Sequence, residues 1–213
     1  MVIQLIRKDL TYLTTSLKST VWTLVIFSLC MPLLSLGLGC AIPALVCYIG
    51  FYNTLAYEER NKADLLNLAL PVSRKDICLS KYIQVCLFIV VSSFLAVIGL
   101  MIKGYTSYEA AFLRDYLKEI IPLMLSVAMI YSAIVLPCVF YFGTLKSRYI
   151  LLFIYMLIFI VGNSAGMIDM EHMFEEIQKV CGAYISVVSL LGAGIIFIIS
   201  YFISLRIWER KAF

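Results

Sequence analysis

Two adjacent carboxylates, Glu58 and Glu59, are the residues whose type and spacing come closest to chemistry in this chain. A carboxylate pair can share a proton or polarise a water molecule, and one class of membrane protease uses paired glutamates in this way. That reaction also needs histidines on neighbouring helices. The single histidine, His172, lies in a polar stretch expected across the membrane from Glu58 and Glu59, so a zinc site or a Ser-His nucleophile lacks its partners. The seven cysteines form no CxxC pair and no metal-ligand spacing. Cys30, Cys47, Cys86 and Cys138 fall in apolar runs, where cysteine packs as a small hydrophobe. Cys40 and Cys181 are placed to face outward together, although a disulfide between them is not the expectation. No GxxxxGK[ST] phosphate loop occurs, so the chain is not expected to be an enzyme or to bind nucleotide.

The elements that must position these groups are apolar. Of 213 residues, 63% are hydrophobic and 14% charged, too little polar surface to cover a soluble domain of this size. Runs without charge occupy Ser19–Leu36, Leu38–Ala56, Ile83–Ile102, Ile120–Phe142, Ile150–Ile168 and Tyr184–Leu205. None alternates apolar and polar residues as a barrel strand does, and each is close to the roughly 20 residues a helical crossing needs. An all-α membrane protein of six transmembrane helices follows, with residues 1–213 forming one domain. The Gly37–Cys40 stretch is read as a short hairpin connection between the first two spans, and Pro32, Pro43, Pro122 and Pro137 as kink positions. Residues 1–18 carry Arg7, Lys8, Asp9 and Lys18 and are not read as a cleavable signal.

Orientation follows from lysine and arginine in the short loops. With the N-terminus in the cytoplasm, thirteen of the seventeen basic residues lie on the cytoplasmic side and four, Lys103, Arg114, Lys118 and Lys179, lie outside. Both termini are therefore expected in the cytoplasm. No span holds an Asp, Glu, Lys, Arg or His at its middle, which removes the relay that ion-coupled transporters use.

Two segments outside the spans have pattern. In residues 1–18, Ile3, Ile6, Leu10, Leu13 and Leu17 recur at helical spacing, with Arg7, Lys8, Thr14, Thr15 and Lys18 on the other side. This predicts an amphipathic interfacial helix that anchors the first span in the headgroup layer or leans on a partner protein. Residues 57–80 are the longest cytoplasmic connection. A helix is predicted over Lys62–Leu70, stopped by Pro71, and Ser73 is placed to cap a second short helix with Asp76 three residues on.

The string from Tyr57 to Ile83, with EERNK, LLNLALPVSRKDI and SKY in succession, resembles the permease subunits of bacterial ATP-binding-cassette transporters of the type-two branch. It is similar in particular to small six-helix permeases that export amphipathic peptides such as phenol-soluble modulins. The resemblance implies the type-two exporter permease fold, with a cytoplasmic coupling helix between helices 2 and 3. It implies pairing with a second permease, identical or different, and docking of separate ATPase subunits that hold ATP and Mg, with no cofactor in this chain. Glu58, Glu59, Asp64, Leu66, Leu70, Pro71, Arg74, Lys75 and Asp76 would form or border the ATPase joint. A pathway or gate near spans two and five would involve Tyr48, Tyr52, Asn53, Tyr155, Phe159 and Asn163. The family setting implies a multi-pass protein of the bacterial cytoplasmic membrane, in contact with lipid and not with nucleic acid.

Asn163 sits in GNSAG among small residues that also permit close helix packing, so a packing hydrogen bond is the simpler reading and a gate the sharper one. The outer loops, Lys103–Glu119 and Asp169–Gly182, carry seven of the thirteen acids and are read as solvated. Tyrosines and amides in place of charges suit an amphipathic or hydrophobic cargo, peptides first. The alternative is a membrane interaction or remodelling protein without a transport cycle, and an intramembrane protease is the least favoured reading.

Overall fold

The computed structural model describes residues 2–34, 36–61, 73–106, 110–143 and 185–210, with scattered positions between 146 and 160. These residues form helices α1 (Val2–Thr15), α2 (Lys18–Leu34), α3 (Leu36–Arg60), α4 (Arg74–Thr106), α5 (Ala110–Phe142) and α6 (Ile185–Arg210). No strand occurs among the described residues. The absence is physical: a strand in an apolar medium leaves backbone groups unpaired unless a closed sheet forms, whereas a helix satisfies its own. Among the described residues, three stretches are long and apolar enough to cross a membrane, Lys75–Lys103, Ile120–Phe142 and Ser186–Arg210, and the bent α1–α2 pair would add a fourth if taken as one span. The expected span Ile150–Ile168 lies largely outside the described residues, with helical backbone at several positions from 149 to 160.

The helices pack as a bundle in which α4 is the hub, touching α1, α2, α3, α5 and α6, while α5 and α6 form the most extensive pair. One buried cluster joins Ala44, Cys47 and Phe51 of α3 to Tyr82, Val85 and Ile89 of α4, Tyr131, Leu136 and Phe140 of α5, and Phe197 of α6. A second joins Leu24, Ile42, Val46, Leu100 and Met124 across α2 to α5. The outer face of α6, with Val188, Leu191, Ile195, Ile199 and Phe202, is apolar and exposed, as a lipid-facing surface is.

Several expectations are corrected. Gly37–Cys40 is no connection, because α3 already begins at Leu36. Gly39 is buried at the contact with α2, where a β-carbon would lie 3.6 Å from Pro32 and Leu100, so the small residue serves packing and not a turn. Gly99 of α4 permits a closer approach still, since a β-carbon there would sit 2.7 Å from the Leu29 carbonyl oxygen of α2. Ser73 does cap a helix, its Oγ accepting from the Asp76 N–H at 3.1 Å. That helix is not short, however; it continues without a break as the 33 residues of α4. The predicted Lys62–Leu70 helix lies outside the described residues. For α1 the buried ridge is Leu5, Asp9 and Leu13, while Ile3 is 80% exposed and Leu10 38%. The helix turns a neighbouring stripe to the protein and leaves much of the expected apolar stripe outward. It meets α2 at 87°, the angle of a helix lying across the end of a bundle.

Prolines explain one of the interhelical polar contacts. Pro137 in α5 has no N–H, so the Ala133 carbonyl four residues earlier loses its helical partner. Ser200 of α6 donates its hydroxyl to that carbonyl at 2.6 Å. The Tyr82 hydroxyl of α4 in turn lies 2.8 Å from Ser200 Oγ and 2.7 Å from Ser204 Oγ. One vacant carbonyl thus ties three helices together. Replacing Ser200 by Ala should lower stability by about 1–2 kcal/mol, the cost of leaving a buried acceptor unpaired. Pro137→Ala should reduce that loss by restoring the helical donor, which paired thermal melts in detergent would measure as a double-mutant cycle.

Candidate functional site

Charged side chains converge where α1 crosses the ends of α3 and α4. Leu5 and Leu13 hold α1 against the bundle, and Asp9, midway between them on the same ridge, is carried inward with them. Glu58 lies in the last turn of α3 and Lys81 two turns into α4. The Lys81 ammonium donates to Asp9 Oδ2 at 2.8 Å and to Glu58 Oε2 at 2.7 Å. All three side chains are buried, with 6% or less of each exposed. Lys8, itself half-buried, reaches the other side of the pair, 3.6 Å from Asp9 Oδ1 and 3.4 Å from Glu58 Oε1. Two carboxylates and two ammoniums thus alternate around one corner, and their formal charges cancel.

Aromatic rings lie beside this corner. Tyr12 of α1 and Tyr57 of α3 lie with centroids 5.5 Å apart, Lys8 sits 5.8 Å over the Tyr12 ring, and the Tyr57 hydroxyl donates to Ser16 Oγ at 3.0 Å. The ring contact and the Tyr57–Ser16 hydrogen bond join α1 to α3 beside the charges.

Burial pushes the Asp9 carboxyl up to about 6, and the neighbouring Glu58 charge adds to the rise, while Lys81 opposes it. Nothing here resembles catalytic machinery. Lys81 bonds one oxygen of each carboxylate, Asp9 Oδ1 and Glu58 Oε1 are buried with only Lys8 near them, and no cluster of metal-ligating side chains occurs among the described residues. Chemically the site can hold three helices in one register.

The sequence-predicted coupling residues divide. Glu58 does not present its carboxylate outward; it is turned into the helix packing by Lys81. Glu59 and Lys75 are exposed, Asp76 is half-buried at the first turn of α4, and Arg74 opens that helix. Asp64, Leu66, Leu70 and Pro71 lie outside the described residues. Among the pathway residues, Tyr48 and Tyr52 stack on α3 with ring centroids 6.1 Å apart, and Asn53 beside them is half-buried. Tyr155, Phe159 and Asn163 lie outside the described residues, as do His172 and Cys181. Cys30, Cys47, Cys78, Cys86 and Cys138 are free thiols, with Cys47 and Cys78 buried in the packing.

Asp9 and Lys81 escaped the sequence reading, although each carried a signal. Asp9 is an acid inside the stripe Leu5, Asp9, Leu13, and Lys81 is a base among Ile77, Cys78 and Tyr82, all buried. Lone opposite charges in apolar stripes are expected to meet, because an unpaired buried charge costs several kcal/mol.

The raised Asp9 value sets a pH dependence. The folded protein takes up a proton near pH 6 and the unfolded chain near 4, so between these values the folded state binds more protons and its stability falls as pH rises. The slope is at most about 1.4 kcal/mol per pH unit, and it vanishes above pH 6. Melting curves in detergent from pH 4.5 to 7.5 should show a declining midpoint that levels off, and Asp9→Asn should flatten the decline.

Comparison with known families bears on the whole chain. A family model described as ABC-2 family transporter protein matches residues 4–209. No curated protein and no solved structure matches significantly. The match runs from the α1 residues that carry Asp9 to the last turn of α6, so it takes in every described helix: the chain belongs to the ABC-2 transporter family and is a multi-pass membrane component of a transporter.

Proposed function

We propose that this chain is the transmembrane subunit of an ABC exporter, moving amphipathic or hydrophobic cargo outward, with peptides favoured, on the energy of ATP hydrolysed by a separate subunit. The observation that carries the reading is the family match over residues 4–209 in a chain that has neither a phosphate loop nor a charged residue at the middle of any span. Membership in a transporter family supplies the role, and the two missing chemistries leave a partner ATPase as the source of work.

In this reading six helices cross the bacterial cytoplasmic membrane with both termini inside. A second permease, identical or different, completes the pathway, and ATP with Mg is bound by the ATPase partner. Residues 57–80 dock on that ATPase, with Leu66 and Leu70 as apolar anchors and Glu59 and Lys75 exposed at the flanks. Glu58 contributes from behind, by holding the end of α3. Tyr48, Tyr52 and Asn53 on α3, with Tyr155, Phe159 and Asn163 on the fifth span, line the pathway. Their uncharged polar groups suit a cargo that is itself amphipathic.

Two substitutions test the reading. Leu66→Asp with Leu70→Asp should abolish co-purification with the partner ATPase subunit and remove permease-dependent ATP hydrolysis. Intact assembly and turnover in that variant would refute the coupling assignment. Asn163→Ala should slow export of amphipathic peptide from cells or vesicles by about tenfold, the effect of losing one well-placed polar contact. Normal export would return Asn163 to a packing role.

A further inference from the structure

The seam between α3 and α4 contains two opposed interactions. Lys81 of α4 meets Glu58 of α3, and the Phe88 ring of α4 packs over Gly50 of α3, 3.5 Å from where a β-carbon would stand. The two helices therefore run antiparallel along this stretch, Lys81 to Phe88 against Glu58 back to Gly50. Gln84 lies between the two contact points on α4. It is fully buried, and neither its Nε2 nor its Oε1 has a hydrogen-bond partner. Thr54, midway between Gly50 and Glu58 on α3, is fully buried too but gives its hydroxyl to the Gly50 carbonyl at 2.8 Å.

An amide with both ends unsatisfied disfavours the state that buries it, and it gains when water or another polar group can reach it. The ion cluster at the end of the same seam acts in the other direction. Lys81 bonds carboxylates on two other helices, so parting the seam strands buried charges. A seam held shut at one end and disfavoured in the middle has two accessible arrangements that a modest input can exchange. Its place matters: the Glu58 end of α3 and the Lys81 end of α4 are the two ends of the chain that enter and leave residues 61–73.

We propose that the α3–α4 seam is a releasable joint, closed by the clamp of Lys81 on Asp9 and Glu58 and loosened by Gln84, through which movement of the ATPase reaches the spans and α1. The proposal rests on the transport reading above. Lys81, Asp9 and Glu58 are positioning residues in it, and Gln84 sets the ease of opening. The joint parts α3 from α4 on each cycle, and α1 follows because Asp9 shares the same ammonium.

The test uses the full chain with its ATPase subunit in lipid nanodiscs. Gln84→Met keeps the shape of the side chain and removes its polar atoms. It should raise the melting temperature by about 2–4 °C or more, because closure is no longer opposed. The same change should lower permease-dependent hydrolysis of Mg-ATP about fivefold or more. A merely structural glutamine would move the first quantity and not the second. A more stable variant with wild-type turnover overturns the joint. Hydrogen exchange of the unmodified complex gives a reading independent of any variant. Peptides covering Phe51–Arg60 and Asp76–Phe88 should lose protection when Mg-ATP is added, and unchanged protection overturns the joint as well. A wild-type permease with no effect on ATP hydrolysis would instead overturn the transport reading itself, so the two failures are distinguishable.

Discussion

Polar groups in an apolar surround must be satisfied by the protein itself, and most of this fold's particulars descend from that constraint. Helices answer it for the backbone. Serine and threonine hydroxyls answer it by bonding back to carbonyls one turn earlier, as Ser28 does to Leu24, Thr54 to Gly50 and Ser132 to Ala128. Pro137 breaks the pattern by leaving the Ala133 carbonyl vacant, and the bundle uses that vacancy as an attachment point for Ser200 and, through it, Tyr82. A defect inside one helix becomes a contact among three.

Charges obey the same constraint more severely. A buried ammonium or carboxylate is tolerated only with partners, so Lys81, Asp9 and Glu58 gather at one corner of the bundle, with Lys8 closing the ring. Such clusters contribute little net stability, because desolvation offsets most of the attraction. What they impose is register. A single ammonium lies within bonding distance of both carboxylates only when α1, α3 and α4 keep this register. The corner thereby sets where the interfacial helix sits relative to the chain ends that flank residues 61–73.

Much of the architecture was legible without coordinates. The charge-free runs at Ser19–Leu36, Leu38–Ala56, Ile120–Phe142 and Tyr184–Leu205 correspond within a few residues to α2, the body of α3, the inner part of α5 and α6. Ser73 was readable as a cap because its type and the helix-forming residues after it are local facts. The errors share one origin. Gly37–Cys40 looked like a turn since glycine permits turns, yet Gly39 and Gly99 serve close helix contact, which depends on what lies opposite. In α1 the apolar stripe with Ile3 and Leu10 stays outward, and which residues turn inward, Leu5, Asp9 and Leu13, was likewise decided by what lies opposite. Gln84 passed unnoticed because an amide in an apolar run is remarkable only when its surroundings leave it without a partner.

Composition and spacing by themselves determined that the chain belongs in a membrane, where several of its helices run, and that it carries neither a phosphate loop nor a charge at mid-span. Those properties depend on counts and on intervals within one segment, which hydrophobicity and helical geometry convert directly into structure. Tertiary structure alone decided which face of each helix turns inward, and hence that residues 72 and 23 positions from Lys81 share its ammonium. The reason is that periodicity defines a helix up to rotation about its axis and sliding along it. Those two freedoms are removed only by the neighbours, and here by the cost of leaving Lys81, Asp9 and Glu58 buried without one another.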